Sequence, residues 1–183
     1  MNTRFNYSHI VVREEPPVDG YDLPIIGLSD GHFNQLHIST VCCLLLSCIC
    51  SVTVLILSYK DNRHLKGFFR WRQIDRFVSY LALSNGSFNI VHSIDHLNVF
   101  VTQDHVRPKF LCQVYAILMI QFLEAQILMV NLVAINMFVL VYFNKRLDFG
   151  QFDWKLLMWM IAVPTTTNVV ALSTDTLGSN GAL

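Results

Sequence analysis

The stretch Leu36–Tyr59, LHISTVCCLLLSCICSVTVLILSY, decides the fold. It holds no Asp, Glu, Lys or Arg, and the uncharged run reaches back to Gly31. A helix needs roughly 20 predominantly apolar residues to cross the hydrocarbon core of a bilayer, and this stretch supplies them. Working outward, residues 77–94 and 156–174 are also free of those four residue types, and between Lys109 and Lys145 the only one is Glu124. Over the whole chain 53% of residues are hydrophobic and 14% are charged, against roughly 25% charged in soluble domains. The expectation is an all-α membrane protein with four transmembrane helices at about 36–59, 76–100, 110–143 and 154–172. The third is longer than a perpendicular span requires, so it should tilt or project.

The flanks are polar. Residues 1–35 contain Pro16, Pro17, Gly20, Pro24 and Gly27 and are acidic, with Arg4 and Arg13 outnumbered by Glu14, Glu15, Asp19, Asp22 and Asp30. That composition predicts an extracellular disordered tail. Residues 173–183 predict a polar C-terminal tail. The first fifteen residues lack the apolar core of a signal peptide, so the first span is expected to act as the anchor. Between the first two helices lie Lys60, Arg63, Lys66, Arg70, Arg72 and Arg76 against Asp61 and Asp75. The positive-inside rule places that loop in the cytoplasm. Both termini then face outward, and the sequon at Asn6 is a possible glycosylation site. Net charge is zero, so nothing points to a nucleic-acid partner.

Polar residues within the apolar helices are the candidate functional groups. At roughly 100° per residue, Asn85, Asn89, His92 and His96 form a stripe on one face of the second helix. The third helix carries Gln121, Glu124 and Asn131. Polar side chains in a membrane normally face a protein interior or a water-filled cavity, so these two stripes predict a bundle with a polar interior or ligand pocket in which they face each other. The plainer alternative is that the amides only join helices. Glu124 favours a switching role, because an ionisable group at that depth is costly without a partner. The spacing His92-Ser93-Ile94-Asp95-His96 invites a metal reading, but it lacks the Glu of the HExxH zinc motif. The other histidines are scattered, and no metal or cofactor is expected. Four of the five cysteines, Cys42, Cys43, Cys48 and Cys50, lie in the first apolar run; Cys112 stands apart.

The second helix opens Arg76-Phe-Val-Ser-Tyr-Leu-Ala-Leu-Ser-Asn85 after a short basic loop. This resembles the pattern opening the second helix of G-protein-coupled receptors. Asn85 then takes the place where many of them carry a sodium-linked Asp. The resemblance makes Cys112, at the outer start of the third helix, a possible disulfide partner for the second extracellular loop, though no cysteine follows it here. Trp159 matches the tryptophan usual in the fourth helix. The inner end of the third helix reads Val-Tyr142-Phe-Asn-Lys145-Arg146, without the Asp/Glu-Arg-Tyr triplet of rhodopsin-like receptors. With Ala134 to Phe143 and Glu124, it looks more like the cyclic-AMP-receptor-like and secretin-like branches. The resemblance covers residues 36–172 and implies the N-terminal part of a seven-helix bundle, a fragment or short isoform. It implies signal transduction at the plasma membrane, with an extracellular ligand and, if full length, a heterotrimeric G protein as partners. Two alternatives stand beside it: a four-helix membrane scaffold, and an intramembrane metal enzyme using His92, Asp95 and His96.

Overall fold

The computed structural model describes residues 21, 25, 27–28, 31–145, 147–174 and 176–177. Four α-helices follow one another along the chain: α1 (Phe33–Asn62), α2 (Gln73–Thr102), α3 (Lys109–Phe143) and α4 (Trp154–Ser173). Single 3-10 turns, Phe68–Arg70 and Gln151–Asp153, stand before α2 and α4. The Asn6 sequon lies outside the described residues, as do most of the two tails. The described part of the amino-terminal tail is folded. Ile25 is buried with Phe33, Val99 and Val106, and the Phe33 amide donates to the Gly27 carbonyl at 2.9 Å. Helix α1 accordingly starts three residues ahead of the expected Leu36.

Where each helix stops follows from local chemistry. Helices α2 and α3 end at Gln103 and Asn144, which take left-handed conformations at φ 50° and 51°. Asparagine tolerates that region because its side chain bonds locally. Pro108, which has no amide hydrogen to leave unpaired, immediately precedes α3. Pro164 falls inside α4, where a proline removes one backbone bond. Around it the hydroxyls of Thr165, Thr166 and Thr167 donate to the carbonyls of Ile161, Val163 and Pro164 at 2.6–2.8 Å.

Among the described residues three helices are long and apolar enough to cross a membrane: Phe33–Asn62, Lys109–Phe143 and Gln151–Ser173. Helix α2 matches α1 in length, but the amides, imidazoles and serines along it lower its hydropathy and keep it out of that set. On length and composition alone, three of the four expected spans are therefore present. The outer surfaces are those of a protein dissolved in lipid: Leu46, Ile49 and Ile56 of α1 are 64%, 63% and 59% exposed. In water such a surface would drive aggregation.

Each helix packs on its neighbour in sequence, α1 on α2, α2 on α3 and α3 on α4. Among the described residues α1 and α4 have no comparable packing. The four helices therefore form an open arc, not a closed four-helix bundle. Two apolar clusters hold it. One, at the end bearing the basic loop, joins Phe77, Ala125, Met129, Phe149, Leu156 and Met160. The other, at the opposite end, joins the tail to α1 and α2.

Candidate functional site: polar seams along the arc

The polar stripe of α2 exists, and it faces α1. Asn85 Nδ2 donates to Ser51 Oγ at 2.7 Å and lies 3.2 Å from Ser47 Oγ. Asn89, buried, donates to Ser47 Oγ at 2.8 Å. Toward the α2 C-terminus the partners are imidazoles: His37 Nδ1 lies 2.9 Å from His96 Nδ1, and His96 Nε2 lies 3.0 Å from His92 Nε2. One nitrogen of each contact must carry the proton and the other accept it. Neutral His96 has one hydrogen, so it donates to one neighbour and accepts from the other. The three rings thus make a directional chain. Beyond it, His92 Nδ1 and Asp95 Oδ2 are buried without hydrogen-bond partners among the described residues.

The stripe of α3 turns the other way, toward α4. Gln121 Oε1 accepts from Thr165 Oγ1 and Asn168 Nδ2, each at 3.3 Å, and its Nε2 donates to the Ile161 carbonyl at 3.4 Å. Glu124 Oε2 lies 2.8 Å from Thr167 Oγ1, whose one hydrogen is shared between this carboxyl and the Pro164 carbonyl. The two stripes thus do not face each other, contrary to what helical periodicity predicts when only those two stripes are compared. The hydroxyl-rich turn Thr165–Asn168 draws α3 to α4, and Ser47 and Ser51 draw α2 to α1. Asn131 joins neither seam. It is exposed on a groove of about 690 Å³ bounded by α1, α2 and α3, with Asn85 and Gln126 among its lining residues. The Gln126 Nε2 is itself buried without a partner among the described residues.

At the basic-loop end a charged contact replaces the neutral ones. Arg76 donates from Nε and Nη2 to the two carboxylate oxygens of Asp153, at 2.6 and 2.8 Å, and from Nη1 to the Trp71 carbonyl at 2.6 Å. Asp153 is 2% exposed and also lies 3.3 Å from the Tyr80 hydroxyl. Phe152 and Asp153 both sit in left-handed conformations, φ 62° and 55°, which is strained for non-glycine residues. Nearby, Asp148 accepts from the Gly150 amide at 2.9 Å and faces Lys155. That backbone bond, with the lysine, holds its carboxyl below the usual range.

Cys112 is a half-buried free thiol near the C-terminal end of α2, packed against the Ile25–Val99 cluster. Sequence reasoning missed His37, Ser47, Ser51, Asp153 and the threonines of α4. The signal for the first three was available: His37 and His96 stand nearly equally far before and after Gly67, so an antiparallel hairpin sets them level. Asp153 gave none, because an acid between two helices reads as a solvated loop residue. No family model, curated protein or solved structure matches the chain.

Proposed function

We propose that this chain forms part of a G-protein-coupled-receptor-like membrane signalling protein, crossing the plasma membrane four times with its amino terminus outside. The open arc carries the reading. A self-sufficient four-helix scaffold closes by packing its first helix on its last. Here α1 and α4 are not so packed, and the groove over α2 presents Asn85, Gln126 and Asn131. Of these Asn131 is exposed in the groove, and an amide left open in lipid calls for a further helix or a ligand to satisfy it. Helix α2 supplies the fourth span. It lies against α1 from the His37–His96 contact at one end through Ser47 and Ser51, and Trp71, just ahead of α2, lies beside Tyr59 at the other. A helix paired so fully with a spanning neighbour occupies the same depth, and its polar groups point at that neighbour and away from lipid.

The alternative of an intramembrane metal enzyme loses ground to the same geometry. His96 spends its two nitrogens on two different imidazoles, so the rings do not converge on one point. The test has two arms. Tags at each terminus should both be reached on intact cells, and the transcript read past Leu183 should encode three more spans. Its full product should retain a G-protein α subunit when nucleotide is removed and release it with a non-hydrolysable GTP analogue. A product that binds no α subunit under either condition refutes the receptor reading; a C-terminal tag reached only after permeabilisation refutes the topology.

A further inference from the structure

We propose that the loop between α1 and α2 is a docking surface for anionic phospholipid headgroups, seated on an aromatic layer that fixes its height at the bilayer interface. The inference rests on the spanning topology but not on the receptor reading. Lys60, Arg63, Lys66 and Arg70 are all exposed, and none has an ion-pair partner among the described residues. Nearby acids are already engaged: Asp75 by Arg72 at 2.9 Å and Asp153 by Arg76 at 2.6 Å. Asp61 alone remains to offset the four. The other loop at this end, by contrast, pairs its Lys155 with Asp148 at 3.5 Å. Of the exposed cations at this end without an ion pair among the described residues, four lie on the last turn of α1 and the loop after it, and one, Lys145, on the α3–α4 connection, and clusters of four or more basic residues beside a span attract anionic lipid at about 1 kcal/mol per cation.

A positive loop could still project into water, and the rings argue against that. Phe68 packs on Trp71 and Tyr80 at centroid distances of 4.9 and 5.4 Å, and Trp71 lies 6.4 Å from Tyr59. Phe69 packs edge-on against Phe152 of the α3–α4 connection at 4.8 Å. The loop is therefore folded down onto the helix ends. Tryptophan and tyrosine rings favour the headgroup level, which puts the four cations where lipid phosphates lie. The bound species is a phospholipid of the leaflet and not a soluble phosphate, because the rings need the acyl boundary beneath them.

The test uses the full chain in nanodiscs of phosphatidylcholine containing about 30% phosphatidylserine. A variant carrying Trp154→Phe and Trp159→Phe leaves Trp71 as the reporter. Brominated phosphatidylserine should quench Trp71 at least about two-fold more than brominated phosphatidylcholine at equal fraction, with the excess lost in high salt. Replacing Lys60, Arg63, Lys66 and Arg70 by Gln should abolish the excess. Equal quenching by the two lipids, or an excess that survives salt, overturns the proposal, and neither result depends on how the Gln variant folds. A reporter with only Trp159, half exposed on α4, separates the premises. Quenching there by brominated phosphatidylcholine supports the span, and its absence removes both the span and the docking surface.

Discussion

The two ends of the α1–α2 hairpin are built from opposite chemistry. At the basic-loop end a half-buried guanidinium, Arg76, and a buried carboxylate, Asp153, hold α2 to the start of α4. At the other end three imidazoles hold α1 to α2. The first joint depends on charge, and it is least tolerant of losing Arg76, because Asp153 would then be a buried, uncompensated ion. The second depends on the rings sharing few protons, and each added proton makes like charges neighbours. One end is thus sensitive to substitution, and the other to acidity.

The largest effect expected is at the charged joint. Asp153→Ala should lower stability in detergent by about 1.5–3 kcal/mol, the range for hydrogen bonds to charged groups, read as a fall in thermal midpoint, while Arg76→Met combined with Asp153→Leu should recover most of it. Failure of the double variant to recover would mean that the strained turn at Phe152 and Asp153, and not the ion pair, holds the loops. At the imidazole end, acidification from about pH 7 to 5 crosses the ordinary histidine range. Stability should fall by about 1–2 kcal/mol as charge accumulates on rings that are neutral when paired. His96→Gln should flatten that pH profile; an unchanged profile would assign the acid response elsewhere.

Smaller changes sharpen the contrast between seams and ends. At Gly86 of α2, an added methyl group would meet Ser51 Cβ at 3.5 Å, an ordinary contact. Gly86→Ala should therefore be neutral or stabilise by up to about 1 kcal/mol through its helix propensity; a clear loss would show that α1 and α2 approach more closely. Glu124→Gln should change stability and membrane expression least, by under about 0.5 kcal/mol, since an amide oxygen still accepts from Thr167. A sharp loss would show that the charged form is required.

The helices were legible because absence of charge is a local property that survives any packing. The faces were not. The stripe Asn85–His96 could be drawn from periodicity, yet the choice between α1 and α3 as its partner depended on Ser47, Ser51 and His37, which show no helical stripe of their own and are found only by counting register across the α1–α2 turn. Glu124 was legible as an ionisable group in lipid, but its partner Thr167 was hidden among three adjacent threonines. Asp153 was hidden more deeply, because its burial comes from a turn whose left-handed residues, Phe152 and Asp153, are not glycine.

The pairing of α2 with α1 has a consequence for how the protein is made. Chain leaves the ribosome in order, so Ser47, Ser51 and His37 are already in place when Asn85, Asn89 and His96 arrive. A segment too polar to partition into lipid alone can enter as the second arm of a hairpin whose first arm accepts its hydrogen bonds. Helices α3 and α4 repeat the order with the roles exchanged: Gln121 and Glu124 come first, and Thr165, Thr167 and Asn168 follow. On the proposed four-span topology, α1 enters the bilayer by itself, and the α1–α2 hairpin is the smallest unit in which α2 can follow it.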